Sequence, residues 1–245
     1  MCKSIFLFEE NQTQRQCLTD WLTTDKYSCI SCSSVNEAIS NLSFSTFDLI
    51  ILSYSDSCLE KDIITHIRCR LQKDTPIISV HDNENRSAIS SALTAGANDF
   101  LVKPLCRTSL THAISTTIDT FSQPTSLTNC HPYSFDVKNT DVTLNGHRLS
   151  LSSDEYRIAA YLFFFRNRVV LLSELNREMN ITTEQTVTTL EYKISQLRHR
   201  LQLSGQSVSD SKLWQLQSIF GIGYRLRCTD TSDTQISDVI TLALP

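Results

Sequence analysis

Hydrophobic and polar positions follow two regimes along this chain. Up to residue 121, short continuous apolar runs recur between stretches with helical spacing. Residues 4–8, 48–52, 76–80 and 99–102 are such runs, and 28–33 is a weaker one. A run without polar alternation suits a strand buried on both faces. Between them, 11–22, 35–42, 59–71, 88–95 and 109–121 read as helices, the fourth stopped by Gly96. This alternation predicts an α/β unit, a parallel sheet covered by helices, with any site at the carboxyl ends of the strands.

After residue 132 the pattern changes. Residues 135–137, 142–144 and 149–151 look like short strands, and Asn145-Gly146 is a hairpin turn signal. Ser152 or Ser153 can cap a helix running through Tyr156 to Phe165. Further helices are predicted over 172–179 and 187–201, and 213–219 with 221–226 reads as a hairpin. The stretch 120–132 between the two regimes holds two prolines and several hydroxyl residues with no apolar period, which is linker composition. The predicted domains are therefore 1–122, a linker 123–132, 133–228, and a polar tail 229–245.

Composition narrows the classes. The 245 residues are 40% apolar, enough for real cores. The longest apolar run, Ile158–Phe165, falls far short of the roughly 20 residues that cross a bilayer. The opening segment reaches Glu9-Glu10 too soon for an export signal. A soluble, cytoplasmic chain is expected, and its nine scattered cysteines read as reduced thiols. Five glycines, in neither the Walker nor the dinucleotide spacing, disfavour two kinds of nucleotide enzyme. The net charge of −4 conceals an asymmetry: 10 basic and 14 acidic groups over 1–122, but 12 and 9 over 133–228.

Residues 187–201 point to a binding surface. Leu190, Ile194, Leu197 and Leu201 fall within about 60° of the helix, a stripe for the core. The opposite face holds Thr188, Tyr192, Ser195, Gln196 and His199, flanked by Lys193 and Arg200 on one side and Glu191 and Arg198 on the other. A hydrogen-bonding centre edged by cations suits a helix in the major groove of double-stranded DNA. A solvated helix with ordinary surface charge fits this segment alone equally well.

The terminal hairpin changes that balance. Leu144-Asn-Gly146, Leu149-Ser-Leu151, Glu155-Tyr156, Leu197-Arg-His-Arg-Leu201 and Gly221-Ile-Gly-Tyr-Arg225 resemble, in order and spacing, the winged-helix domain of OmpR/PhoB-type response regulators. The resemblance covers roughly 135–227. It implies an α+β winged-helix domain whose recognition helix is 187–201. Lys193 and Arg198 then sit at phosphate contacts and Gln196 at a base-reading position, with Tyr224 and Arg225 in the wing. Two positions depart from the family: Phe220 replaces the usual cation before Gly-x-Gly, and Thr188 the arginine opening the recognition helix. Each lost phosphate contact weakens salt-dependent affinity.

Residues 4–121 resemble the same family's receiver domain, which implies a flavodoxin-like, five-stranded parallel, doubly wound sheet. Its acidic pair is Glu9 and Glu10, and Gly96-Ala-Asn-Asp-Phe-Leu-Val-Lys103-Pro104 matches the fifth-strand motif. The phosphoacceptor position, however, is Ser53, and the hydroxyl position is His81. A carboxylate is anionic at pH 7 and serves as nucleophile and Mg²⁺ ligand; an alcohol is neutral and poorly nucleophilic without a base. Lys103 is then expected in an ion pair with Glu9 or Glu10. Asp56, beyond the strand, is a weak substitute, and a Ser53–His81 nucleophile has no accompanying oxyanion motif. The family's dimer face maps onto uncharged Ser91, Ser109, Ala113 and Thr120, leaving Leu105, Leu110, Ile114 and Phe121 as apolar contacts or core.

Cys29-Ile-Ser-Cys32 lacks a second pair and would point to opposite faces of a strand. The expectation is a non-enzymatic, sequence-specific DNA-binding transcriptional regulator of the two-component type, active without aspartate phosphorylation. It would use no metal or cofactor, and its partners would be DNA, a second copy of itself and RNA polymerase. The alternative is an interaction protein that sequesters another regulator.

Overall fold

The computed structural model describes residues 2–54, 57–82, 85–122, 127, 130–179, 186–203 and 212–230; among these, side chains 57–60, 186–189, 212–213 and 229–230 are left aside. Asp56, most of the linker 123–132 and the tail from 231 lie outside the described residues. The chain divides into two units, Met1–Gln123 and Pro124–Pro245.

In the first unit, β1 (Ser4–Glu9), β2 (Ser28–Cys32), β3 (Leu49–Ser53), β4 (Ile77–His81) and β5 (Asp99–Val102) form one parallel sheet in the order β2-β1-β3-β4-β5. The central strands β3 and β4 are buried at every position, as their unbroken apolar runs require. Helices α1 (Gln12–Thr24), α2 (Val35–Phe44), α3 (Ser57–Thr65), α4 (Arg86–Ala95) and α5 (Arg107–Ser122) follow the strands in turn. The Asn11 and Asn85 side chains cap α1 and α4 by accepting the amides of Gln14 and Ala88. The continuous helix predicted over 59–71 is instead α-helical only to Thr65, and a π-helical turn covers His66–Arg70. That turn carries Arg68, whose guanidinium donates to the carbonyls of Gly96, Lys73 and Thr75 and to Asn98 Oδ1. Gly96, at φ +118°, ends α4, and an added Cβ would lie 3.0 Å from Arg68 Cγ.

The second unit opens with an antiparallel sheet, β6 (Tyr133–Asp136), β7 (Asp141–Leu144) and β8 (His147–Leu149). Asn145 and Gly146 both take positive φ, as a two-residue primed turn demands. The first of these strands starts and stops earlier than predicted. Asp136 accepts the amides of Lys138 and Asn139, which turns the chain and leaves Val137 exposed. Helix α6 (Ser153–Phe164) begins with a reciprocal capping box between Ser152 and Glu155. Then come β9 (Val169–Leu171), α7 (Leu172–Glu178), α8 (Thr186–Arg200), β10 (Lys212–Ile219) and β11 (Gly223–Asp230). The sheet order β10-β11-β9 makes the terminal hairpin continuous with β9, a strand that the apolar pattern does not predict. Phe163, Tyr133 and Trp214 interlock at ring distances of 4.9–6.1 Å. Leu190, Ile194, Leu197 and Leu201 are buried in the same core, as the stripe on α8 predicts.

Candidate functional site

Parallel pairing aligns the carboxyl ends of the first unit's strands: Glu9 lies beside Ser53, Ser53 beside Val80, and His81 beside Val102. The buried Glu9 carboxylate is the hub. Its Oε1 accepts the Asn11 amide at 2.9 Å, while Oε2 accepts the Ser53 hydroxyl at 2.5 Å and the Lys103 ammonium at 3.1 Å. Lys103 also reaches Asp82 Oδ1 at 2.8 Å, so one cation bridges two carboxylates. Burial works to lower the lysine's pKa, but the hydrogen bonds it donates to Asp82 and Glu9 outweigh it and hold the ammonium above its ordinary range. Glu10 is exposed, and only its backbone carbonyl joins the cluster, through Arg15. Of the two acids the sequence offered, Glu9 is therefore the lysine's partner. Asp82 was missed; its one sequence signal is its position directly after β4.

These donors do not suit a divalent cation. The third position is a neutral alcohol, and the Glu9 oxygen that would face a metal already takes two hydrogen bonds. Among the described residues no group of three or more His, Cys, Asp or Glu could hold a metal ion. His81 is buried, with Nε2 3.0 Å from Ser79 Oγ. Burial pushes its pKa down to about 4, against the smaller opposing pull of Asp82, so the ring is neutral at pH 7. The Ser53 hydroxyl is committed to Glu9 and the imidazole meets Ser79, which leaves the Ser53–His81 nucleophile unassembled in these contacts.

Elsewhere in this unit, Leu110, Ala113 and Ile114 are core residues of α5, Leu105 packs against that core, and Phe121 is exposed. Ser109 bonds to Cys106 and Thr120 to the Thr116 carbonyl. Burial raises both Cys29 and Cys32 to about 11, which keeps these thiols protonated.

On α8, Tyr192, Ser195 and His199 are exposed, and Gln196 is half-buried. Thr188 lies on the same helix, its side chain outside the described set. The flanking cations are engaged within the domain. Lys193 pairs with Asp154. Arg200 donates to the Ser150 carbonyl at 2.5 Å and to Glu155 at 3.3 Å. Arg198 donates to the Leu216 carbonyl at 3.1 Å and to Ser218 Oγ at 2.7 Å, which ties α8 to the hairpin. Tyr224 and Arg225 are buried in β11 rather than displayed. Burial, then the nearby Glu191, raises the Tyr224 phenol above its ordinary pKa. Arg168 lies over the Phe165 ring at 4.2 Å and pairs with Glu174, a packing role.

Such a sheet and lysine-centred cluster, followed by this second α/β unit, define a class. Residues 5–115 match the response regulator receiver domain. The chain is 26% identical over 229 residues to the response regulator ArlR of Staphylococcus haemolyticus, across 91% of this chain and 99% of that protein. It is 22% identical over 232 residues to YcbL of Bacillus subtilis, an uncharacterized transcriptional regulatory protein, across 90% and 98%. Among solved structures it resembles the response regulator DrrB, a Thermotoga maritima OmpR/PhoB homolog, at 17% identity and TM-score 0.47, across 93% and 100%. The chain thus has a receiver fold followed by a second α/β region, and its homologues are response regulators and transcriptional regulators. No enzyme family is indicated among these matches. Among the described residues, no helix is long and apolar enough to cross a membrane.

Proposed function

We propose that this chain is a sequence-specific transcriptional regulator that binds double-stranded DNA through its second unit and works without phosphorylation of an aspartate. It acts as a homodimer on paired half-sites, in contact with RNA polymerase. The observation that carries this reading is the occupancy of Glu9 Oε2 by Ser53 and Lys103. The lysine that would answer an aspartyl phosphate is already bridged between Glu9 and Asp82. Supporting the DNA side, α8 presents Tyr192, Ser195, Gln196 and His199 between flanking cations. A gel shift of the full chain, with and without acetyl phosphate and Mg²⁺, tests it: equal affinity is expected, and phosphate incorporation that raises affinity contradicts it.

A second reading, sequestration of another regulator, is favoured by the intramolecular bonds of Lys193, Arg198 and Arg200. Cations held this way release fewer phosphate counterions. Binding of mixed-sequence DNA at low salt, lost in a Lys193→Ala/Arg198→Ala variant, supports the DNA reading; no binding by the parent chain supports sequestration.

A further inference from the structure

A groove of about 1020 Å³ runs beside β6 in the second unit. Leu127, Phe135, Val137 and Phe164 give it an apolar lining, and Ser134 and Thr143, paired across β6 and β7, add hydroxyl groups. Val137 is 67% exposed. Among the described residues β6 has a strand neighbour, β7, on one side only. An open strand edge beside several apolar side chains is a surface that folded chains cover.

The chain carries a cover of matching chemistry. Past Asp230, outside the described residues, it reads Thr-Ser-Asp-Thr-Gln and then Ile236-Ser-Asp-Val-Ile-Thr-Leu-Ala-Leu244. A polar tether thus leads to a segment with Ile236, Val239, Ile240, Leu242 and Leu244. Strand β11 delivers it to the groove. Cys228 pairs across the hairpin with Trp214, whose indole donates to the carbonyl of His131, a lining residue, at 3.0 Å. Leu127 and Cys228 pack against the same core. From Asp230 to Ile236 an extended chain reaches about 20 Å, enough to enter the groove. A tether this short raises the local concentration of the segment to roughly millimolar, which favours it over the same segment of a second copy. Its charge also suits the site: Asp233 and Asp238 face a unit with 12 basic and 9 acidic groups over 133–228. We propose that residues 236–244 dock in this groove of their own unit. The docked segment covers Val137 and shuts the groove to other chains until it leaves. Docking of this kind is independent of DNA binding.

Leu242→p-benzoylphenylalanine in the full chain, irradiated in dilute solution and mapped by mass spectrometry, tests it. The expected product is a link within one chain, from position 242 to residues 127–137, 143–146 or Phe164. Val137→Asp is expected to cut its yield about tenfold, by setting a charge where apolar side chains dock. Phe44→Asp, at a 90% exposed position of the first unit, should leave the yield unchanged. Both substitutions fall at exposed positions, so melting temperatures equal to the parent's are expected and show the fold intact. A link formed only between two chains assigns the groove to a second copy and overturns docking within the chain. A link mapping elsewhere, no link at all, or a yield that Val137→Asp leaves unchanged overturns it as well.

Discussion

The two units keep their architecture in the same way and treat their functional surface differently. In the first, the sheet still converges Glu9, Ser53, His81 and Lys103 on one edge, but the hydroxyl of Ser53 has become a donor within a closed cluster. In the second, the helix meant to face outward does so, yet its cations are turned back onto Asp154, Glu155 and the hairpin. In both units charge is neutralised internally. In the first unit Glu9 and Ser53 are buried, where a broken pair leaves an uncompensated charge, while Asp82 is the exposed member of the cluster. On α8 the Lys193–Asp154 pair and the Arg198–Ser218 contact are half-exposed, where water can replace either partner at little cost, whereas Arg200 reaches the buried Glu155. A lasting, built-in state is thus expected of the first, and exchangeable contacts of the second.

The largest effect that can separate the units is loss of core. Ile51→Ala in the first and Leu197→Ala in the second each remove a buried side chain and are expected to cost about 3–4 kcal/mol. Calorimetry should show each substitution lowering one transition and sparing the other; a shared shift would mean the units do not melt separately.

Next in size is the pH response of the first unit. His81 titrates near 4 when folded and near 6.5 when unfolded, so above pH 6.5 neither state binds the proton. As pH falls from 6.5 toward 4, the unfolded chain is protonated first and stability drops, by about 3 kcal/mol in total. Urea titrations at pH 7 and pH 4.5 should show this loss, and His81→Gln should flatten it relative to the parent. An identical slope in the variant would remove His81 from the account.

Glu9→Gln probes the hub itself. It leaves Lys103 with Asp82 alone and a weaker acceptor for Ser53, at a cost of about 2 kcal/mol read by urea unfolding. Arg198→Ala on α8 should cost only about 1 kcal/mol, because its two hydrogen bonds lie at a half-exposed site. If the Arg198 loss exceeds the Glu9 loss, the contrast between a closed cluster and exchangeable contacts fails.

The sequence disclosed the fold to different depths. The parallel sheet was legible because β3 and β4 are buried on both faces and so are spelled without polar interruption. The stripe of Leu190, Ile194, Leu197 and Leu201 named the buried side of α8 correctly for the same reason. The strand β9 was not legible: Val169–Leu171 is too short for any period, and it exists because β11 pairs with it. The π-helical turn at His66–Arg70 was likewise hidden, its local spacing being close to that of an α-helix. In the site, Ser53, His81 and Lys103 were singled out by the resemblance to a receiver, and the parallel register shows where the strand ends carrying Ser53 and His81 meet. Asp82 stayed hidden because it stands one residue beyond β4, where no pattern marks it. Partners of Lys193, Arg198 and Arg200 were equally beyond reach, since helical spacing gives a side chain's face and not the neighbour that claims it.

Ser53 and Lys103 both engage Glu9 Oε2, and the proposed indifference to phosphodonors rests on that contact. The most direct test sets the parent chain beside Ser53→Asp, measuring intact mass and the affinity for an enriched duplex before and after acetyl phosphate with Mg²⁺. The expected result is no added phosphoryl group and unchanged affinity in the parent, whereas the variant, regaining a carboxylate beside Glu9, gains stability from Mg²⁺. A phosphorylated parent whose grip on DNA changes would contradict it.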